Sequence, residues 1–436
     1  MKCLQRKTES WTTCSGAHAS EAPRQAFKAR WIFPGDGPPI ENATIELADG
    51  RIGDVHTRHN PRAIDLGNTA VIPGLVNAHT HLEFSGLEAP LEPAASFAEW
   101  LQSVVAHRRT RPSAIEPVVR GAAESGAAGT TLLADIVTDD AVPPAYPPGG
   151  PAVVAFRELI GLLPGQAGER LETARQFLEA GEVPAAAATG GPPVATGCAV
   201  VRGLSPHSPY SVGPDLYHGL VELARGRRAP LAVHLAETRA ELELLREGTG
   251  ELVEMLAGFG VWSDAAIPRG SRPLDYLRPL AALERALVVH GNYLDAAEID
   301  FVAGHPQLTV VYCPRTHAYF GHREHPWREL LARGASIALG TDSRASNPDL
   351  SVFDELRFLH DRHPEVDPQV LLRLGTLAGA QALGFADVSG RLAPGKSADL
   401  AVVALLDFGP ADAFGLLFHP RSRVVRVMQG GCWRPS

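Results

Sequence analysis

Between residues 71 and 343 the chain repeats one pattern eight times: a short apolar run of strand length, followed in most cases by a helical stretch. The runs are Val71–His81, Gly129–Ile136, Ala152–Gly161, Val200–Pro209, Pro230–Thr238, Ala286–Leu294, Leu308–His317 and Ala335–Ser343. Helical patterns between them include Phe97–Ser125 and Arg239–Gly258. Strands that alternate with helices build a parallel sheet, and eight of them are the arithmetic of a (β/α)8 barrel, an α/β fold. The doubly wound alternative would need a glycine-rich phosphate turn after its first strand, and the sequence has none there.

The flanks read differently. From about Phe27 to Ala70 short alternating segments are separated by Gly-Asp-Gly and Ala-Asp-Gly turns, and GRLAPGKSADLAVVAL and RVVRVMQGG repeat that character near the end. The expected organisation is a polar tail over 1–26, a small β-sandwich from 27–70 plus 390–436, and the barrel over 71–389. The Ala/Gly/Pro-rich segment Glu182–Gly197 reads as a loop insertion.

A barrel makes a demand on its chemistry: reactive groups sit at the carboxyl ends of strands. His79 and His81 follow the first apolar run, His207 the fourth, His234 and Glu237 the fifth, His290 the sixth and Asp342 the eighth. In a strand, residues i and i+2 share a face, so His79 and His81 can grip one ion. Three imidazoles and a carboxylate without thiolates suit one divalent ion, Zn2+ first, with Fe2+ or Mn2+ as competitors. Such an ion lowers the pKa of a bound water towards neutrality. Glu237 stands where a proton shuttle would stand, and His290 and Asp342 where groups that orient the water would. Each residue also has a plain reading: a buried hydrogen-bonded histidine, or for Glu237 an acid at a helix start.

The totals exclude several classes. A net charge of −9 argues against a nucleic-acid binder or an anionic-membrane binder. No apolar run reaches the length of a membrane span, and the amino terminus lacks the apolar core of a secretory signal. The five cysteines, at 3, 14, 198, 313 and 432, are odd in number and form no CxxC, so reduced thiols in the cytoplasm are expected. The expected partner is a small molecule, with pairing into a homodimer open.

The set PGLVNAHTHLE, HLAET, VVHGNYL and LGTDS, with PGKSADLAVV near the end, resembles the amidohydrolase superfamily in its single-metal, cytosine-deaminase-like branch. The resemblance implies His79, His81, His234 and Asp342 on the metal, with Glu237 and His290 in catalysis. No lysine fits a bridge between two metals; AFRELIG offers Arg157 and Glu158 there. SPHSPYSV resembles the substrate-binding histidine segment of adenosine and S-adenosylhomocysteine deaminases, and HLEFSG with FAEWLQSVVAHRR resembles aminofutalosine deaminases. These imply a nucleoside pocket lined by Trp100 and His207. Where nucleoside-deaminase relatives carry a ribose-binding glutamate, this chain has His107, Arg108 and Arg109. An arginine there could pair with a substrate carboxylate such as the benzoate of aminofutalosine, and Arg157 is a further substrate-binding candidate. The expected reaction is hydrolytic deamination of an aminated purine nucleoside: aminofutalosine first, adenosine or 5′-thio derivatives second. The alternatives are hydrolysis of another C–N or C–Cl bond of a heterocycle (guanine, cytosine, pterin or triazine type) and a metal-binding scaffold without turnover.

Overall fold

The computed structural model describes residues 25–111, 113–140, 142–180, 200–406 and 412–435. The expected tail, apart from its last two residues, and the insertion 182–197 lie outside the described residues.

The chain begins with five strands: β1 (Gln25–Ile32), β2 (Ile40–Ala48), β3 (Arg51–His56), β4 (Ile64–Asp65) and β5 (Thr69–Pro73). The barrel strands follow: β6 (Leu75–Thr80), β7 (Thr130–Val137), β8 (Ala152–Leu159), β9 (Val200–Pro206), β10 (Leu231–Leu235), β11 (Ala286–His290), β12 (Leu308–Tyr312) and β13 (Ser336–Leu339). Each pairs in parallel with the next in sequence. A parallel bridge between Thr80 and Asp342 joins β6 to the end of β13 and closes the barrel. All residues of β6, β7, β10, β11 and β12 are buried, as strands covered on both faces must be.

Alternation sorts the strand residues into two layers. Leu231, Val233 and Leu235 of β10, and Ala286 and Val288 of β11, pack with Leu277, Leu280 and Ile299 of the surrounding helices. Ala232, Leu287, Val289 and Val311 pack together in a second cluster with Phe156. By parity His234 belongs with Ala232, whereas His290 belongs with Val288 on the helix side.

The terminal strands differ from the expected sandwich. With β14 (Leu400–Ala404), β15 (Arg423–Gln429) and β16 (Cys432–Trp433) they form one mixed sheet in the order β16-β15-β14-β5-β1-β2-β3, with β4 beside β1. The sheet curls until β3 meets the chain ahead of β14: Ile52 N–H donates to the Lys396 carbonyl and Gly395 N–H to that of Ile52, both at 2.8 Å. The curl encloses Phe27, Ile32, Ile45, Val71, Leu400 and Met428. The boundary also moves. The apolar run from Val71 serves both units, because Val71–Pro73 pairs with β14 and only Leu75 onward enters the barrel. Gly74 is the joint, where a Cβ would lie 2.1 Å from the Thr131 hydroxyl.

Both long helical stretches are broken in two. Phe97–Ser125 is α1 (Phe97–Thr110) and α2 (Ile115–Ala127), with Arg111 extended at ψ 140 ahead of Pro112. Ala167–Glu179 and Pro214–Arg227 are α3 and α4, and Arg239–Gly258 is α5 (Arg239–Glu247) and α6 (Glu251–Gly258). Gly248 and Gly250, at φ +67 and +96, separate the last two, a conformation that suits glycine.

Candidate active site

The carboxyl ends of β6, β9, β10, β11 and β13 converge on one buried cluster. Ring centroids of His79 and His81, and of His79 and His234, are 4.9 Å apart, and those of His234 and His290 5.4 Å. His79 Nε2 and His81 Nε2 lie 3.5 and 3.7 Å from Asp342 Oδ1, and the Nε2 atoms of His81 and His234 are 3.3 Å apart. Gly340 is what lets β13 approach this closely, since a Cβ there would stand 2.8 Å from the His79 carbonyl oxygen.

Burial pushes the pKa of His81, His234 and His290 well below the usual histidine range, helped by their neighbouring imidazoles. These rings are neutral and keep lone pairs. His234 Nδ1 donates to the His207 carbonyl at 2.8 Å, which leaves its Nε2 lone pair facing the cluster. His79 Nε2 is buried with no hydrogen-bond partner. An orphaned buried nitrogen, converging lone pairs and an adjacent carboxylate fit a divalent transition metal. His79, His234 and His290, and His79, His81 and Asp342, each place ligand atoms within 4.8 Å of one another.

Two strand-end turns aim the remaining groups. Ala236 has φ +53, His290 φ +69 and Asp342 φ +56, left-handed conformations that non-glycine residues rarely adopt and that cost on the order of 1–3 kcal/mol each. The turn at Ala236 takes Glu237 out of the helix-facing register of Leu231, Val233 and Leu235. Positive φ at His290 does the same for its ring. The result sets His290 Nε2 3.5 Å from Glu237 Oε1. Buried neighbours hold both turns. The Glu241 carboxyl accepts from Ala236 N–H at 2.8 Å and Glu237 N–H at 2.9 Å; the Asn292 amide donates to the Glu237 carbonyl at 2.9 Å; His325 Nε2 donates to the His290 carbonyl at 2.7 Å. Burial, with the charges of Asp342 and Glu241, pushes the pKa of the Glu237 carboxyl well above the usual carboxylate range.

The cluster forms one end of a cavity of about 200 Å³ that opens to solvent. Its walls beyond Glu237 are mostly apolar: Phe97, Trp100, Leu101 and Val104 from α1, Met255 and Leu256 from α6, and Phe259 and Val261 after it. Trp100 stacks on Phe97 at 5.7 Å. His207 and Arg108 also line it.

The model of the amidohydrolase family matches residues 70–432, most of the chain. The chain belongs to that family. Among relatives of this amidohydrolase, an aminodeoxyfutalosine deaminase of Deinococcus radiodurans is 31% identical over 80% of this chain and 81% of its own. A 5-methylthioadenosine/S-adenosylhomocysteine deaminase of Nitratidesulfovibrio vulgaris is 29% identical over 90% and 85%. An adenosine deaminase of Xanthomonas campestris, solved with bound zinc, shares the fold with a TM-score of 0.74 at 24% identity, over 94% of this chain and 92% of that one.

Of the residues singled out in the sequence, the fold of this amidohydrolase gathers His79, His81, Trp100, Arg108, His207, His234, Glu237, His290 and Asp342 around the cavity. It does not gather the other two arginines. Arg157 donates to Asp140 at 2.6 Å and to the Thr138 carbonyl at 2.7 Å and stands outside the lining. Arg109 is exposed, its guanidinium 6.0 Å from the Phe259 ring. Arg108 is engaged by carboxylates: Nε and Nη2 donate to Glu83 at 2.9 and 2.6 Å, and Nη1 lies 3.2 Å from Glu158. Glu83, Glu241, Asn292 and His325 are not singled out by the sequence, and Glu158 is named there without a role. Glu83 stands two residues after His81 and Glu241 four after Glu237, but nothing in those spacings tells a buried carboxyl from a solvated one.

Among the described residues no helix is long and apolar enough to cross a membrane.

Proposed function

We propose that this amidohydrolase is a metal-dependent deaminase that replaces the amino group of a purine nucleoside with oxygen, releasing ammonia. The observation that carries the reading is the buried Glu237 carboxyl, 3.5 Å from His290, beside the histidine–aspartate cluster at the inner end of an apolar cavity. His79, His81, His234 and Asp342 would hold the ion. Bound there, a divalent ion, zinc by the donor set, supplies the Lewis acidity that makes water a usable nucleophile near neutral pH.

The chain's own groups do the rest. Glu237 gives its proton to the ring nitrogen next to the carbon that bears the amino group, which makes that carbon electrophilic. Asp342 accepts the proton that the attacking water loses. His290 faces the reacting carbon from beside Glu237 and stabilises the charge on the incoming oxygen. Glu237, now a carboxylate, carries a proton from the new hydroxyl to the departing nitrogen, so water and an aminopurine become an oxopurine and ammonia. The flat walls of Phe97 and Trp100 suit a ring system, and the apolar groups from α6 suit a weakly polar 5′ substituent.

The names of the relatives support both a 5′-thio nucleoside and aminodeoxyfutalosine. The carboxylates around Arg108 remove the pairing that the sequence offered for a benzoate, which favours the 5′-thio and adenosine class. The test is ammonia release by zinc-loaded protein on adenosine, 5′-methylthioadenosine, aminodeoxyfutalosine, guanine, cytosine, a pterin and a chlorotriazine. Turnover confined to the purine nucleosides is the expected result. Turnover only on a free base or a triazine sinks it.

A further inference from the structure

Beyond the residues that hold the ion and move protons, Arg108 and His207 form a polar corner of the cavity, and Glu158 stands behind them with 3% of its side chain exposed. Glu158 is 94% buried by residue exposure, since only 6% of it is accessible. Burial alone would raise its pKa, but the Arg108 charge and His207 hold it below the usual range, so it is a carboxylate. Both ends of the Arg108 fork reach it, Nη1 at 3.2 Å from Oε2 and Nη2 at 3.5 Å from Oε1. That leaves the outer lone pairs of Glu158 without a donor. Its Oε1 stands 3.9 Å from His207 Nε2, too far for a hydrogen bond and wide enough for one hydroxyl to bridge. The Ser211 and Ser208 hydroxyls lie 2.7 and 3.0 Å from His207 Nδ1, and with that nitrogen accepting from either of them the ring proton sits on Nε2.

The charges around this corner are balanced. Glu83 also accepts from Thr138 at 2.9 Å and pairs with Arg111. Two guanidinium groups therefore face two carboxylates. Bringing in an anionic ligand would leave a net negative charge in a poorly hydrated place, which is costly. A hydroxyl adds no charge. Of the five N–H groups of Arg108, these contacts leave one on Nη1 to spare. The corner thus offers two donors, Arg108 Nη1 and His207 Nε2, around one acceptor, Glu158. Neighbouring hydroxyls, each both donor and acceptor, complement that set.

We propose that Arg108, Glu158 and His207 form a subsite for the vicinal hydroxyls of a sugar, with Glu158 as the accepting group, and that Arg108 is its counter-ion and not a reader of substrate anions. The assignment rests on the nucleoside reading above. A hydrogen bond to a charged acceptor sets an effect of roughly tenfold to a hundredfold in affinity.

The experiment measures binding of inosine and 2′,3′-dideoxyinosine, which have no amino group to lose, to zinc-loaded full-length protein. Ammonia release from adenosine is measured in parallel. Wild type is expected to prefer inosine by at least tenfold, and Glu158→Gln to bring that ratio near one while dideoxyinosine affinity stays within about threefold. A wild-type ratio near one overturns the proposal without any variant. So does a ratio that survives Glu158→Gln, or no binding of either ligand. Absence of ammonia release alongside an inosine preference that Glu158→Gln removes would sink the deaminase reading and leave the subsite standing.

Discussion

The inner cluster and the outer corner of the cavity are both buried and polar, yet they are balanced in opposite ways. At the inner end, imidazoles and a carboxylate turn lone pairs towards one point, and His79 Nε2 has no hydrogen-bond partner. A bound cation would satisfy those lone pairs. At the outer end Arg108 and Arg111 meet Glu83 and Glu158 directly, and the chain neutralises itself. As proposed above, the first region takes an ion and the second a neutral, hydrogen-bonding part of a ligand. Burial by itself does not mark a metal site; the uncompensated lone pairs do.

Substitutions should separate the two regions sharply. The largest effect belongs to the inner end. His234→Ala is expected to remove the metal, about one per chain in the wild type, and to abolish turnover while the protein stays folded. Metal analysis and circular dichroism check this, and full metal retention would break the inner half of the comparison. Next comes Glu237→Gln, which should keep both metal and melting temperature yet lose roughly 10²–10⁴-fold in kcat, the range for a general acid–base group. Near wild-type kcat would remove Glu237 from the proton path.

The outer end should respond through stability. Arg108→Ala leaves Glu158 without its guanidinium partner and Glu83 with Arg111 alone, and is expected to cost about 3 kcal/mol. That is the low end for a buried pair, because 21% of the Arg108 side chain is exposed. Urea unfolding of the metal-free proteins reads it. A loss no larger than that of His234→Ala in the same metal-free state would erase the distinction between the regions.

A last test concerns a buried acid that belongs to neither region. Asp135 accepts from Leu82 N–H at 2.9 Å and from the Tyr146 hydroxyl at 2.7 Å, and burial raises its pKa from 3.8 to about 7. A raised acid is protonated in the fold, so its contribution is full below about pH 4 and is lost as pH rises through 7. The melting temperature of wild type minus that of Asp135→Asn should therefore fall across that interval, and a flat difference would show that Asp135 is ionised in the fold.

Much of the molecule was already legible in the residue order. Apolar runs of strand length alternating with helical patterns are a local signal, and strands buried on both faces cannot hide it. The barrel, and the residues at its strand ends, follow from that signal and from the rule that barrel strands deliver chemistry at their carboxyl ends. Helix interruptions were legible too, in Pro112, Gly248 and Gly250, though the longer periodic pattern masked them.

Tertiary structure decided what depends on partners far away in sequence. The run at Val71 looked like one strand because periodicity has no means of showing that Val71–Pro73 pairs with β14, more than three hundred residues on. Alternation along β11 points His290 towards the helices, and only the left-handed backbone at φ +69, held by His325 from the next loop, turns it to Glu237. The arginines of α1 and β8 were equivalent as letters. Glu83 and Glu158 reach Arg108 from other strand ends, Asp140 takes Arg157, and Arg109 is left in solvent. Residue type and spacing determine which groups can do chemistry; whether a charge is free or already satisfied is a property of three-dimensional neighbours, because the energy of a buried charge is set by what surrounds it.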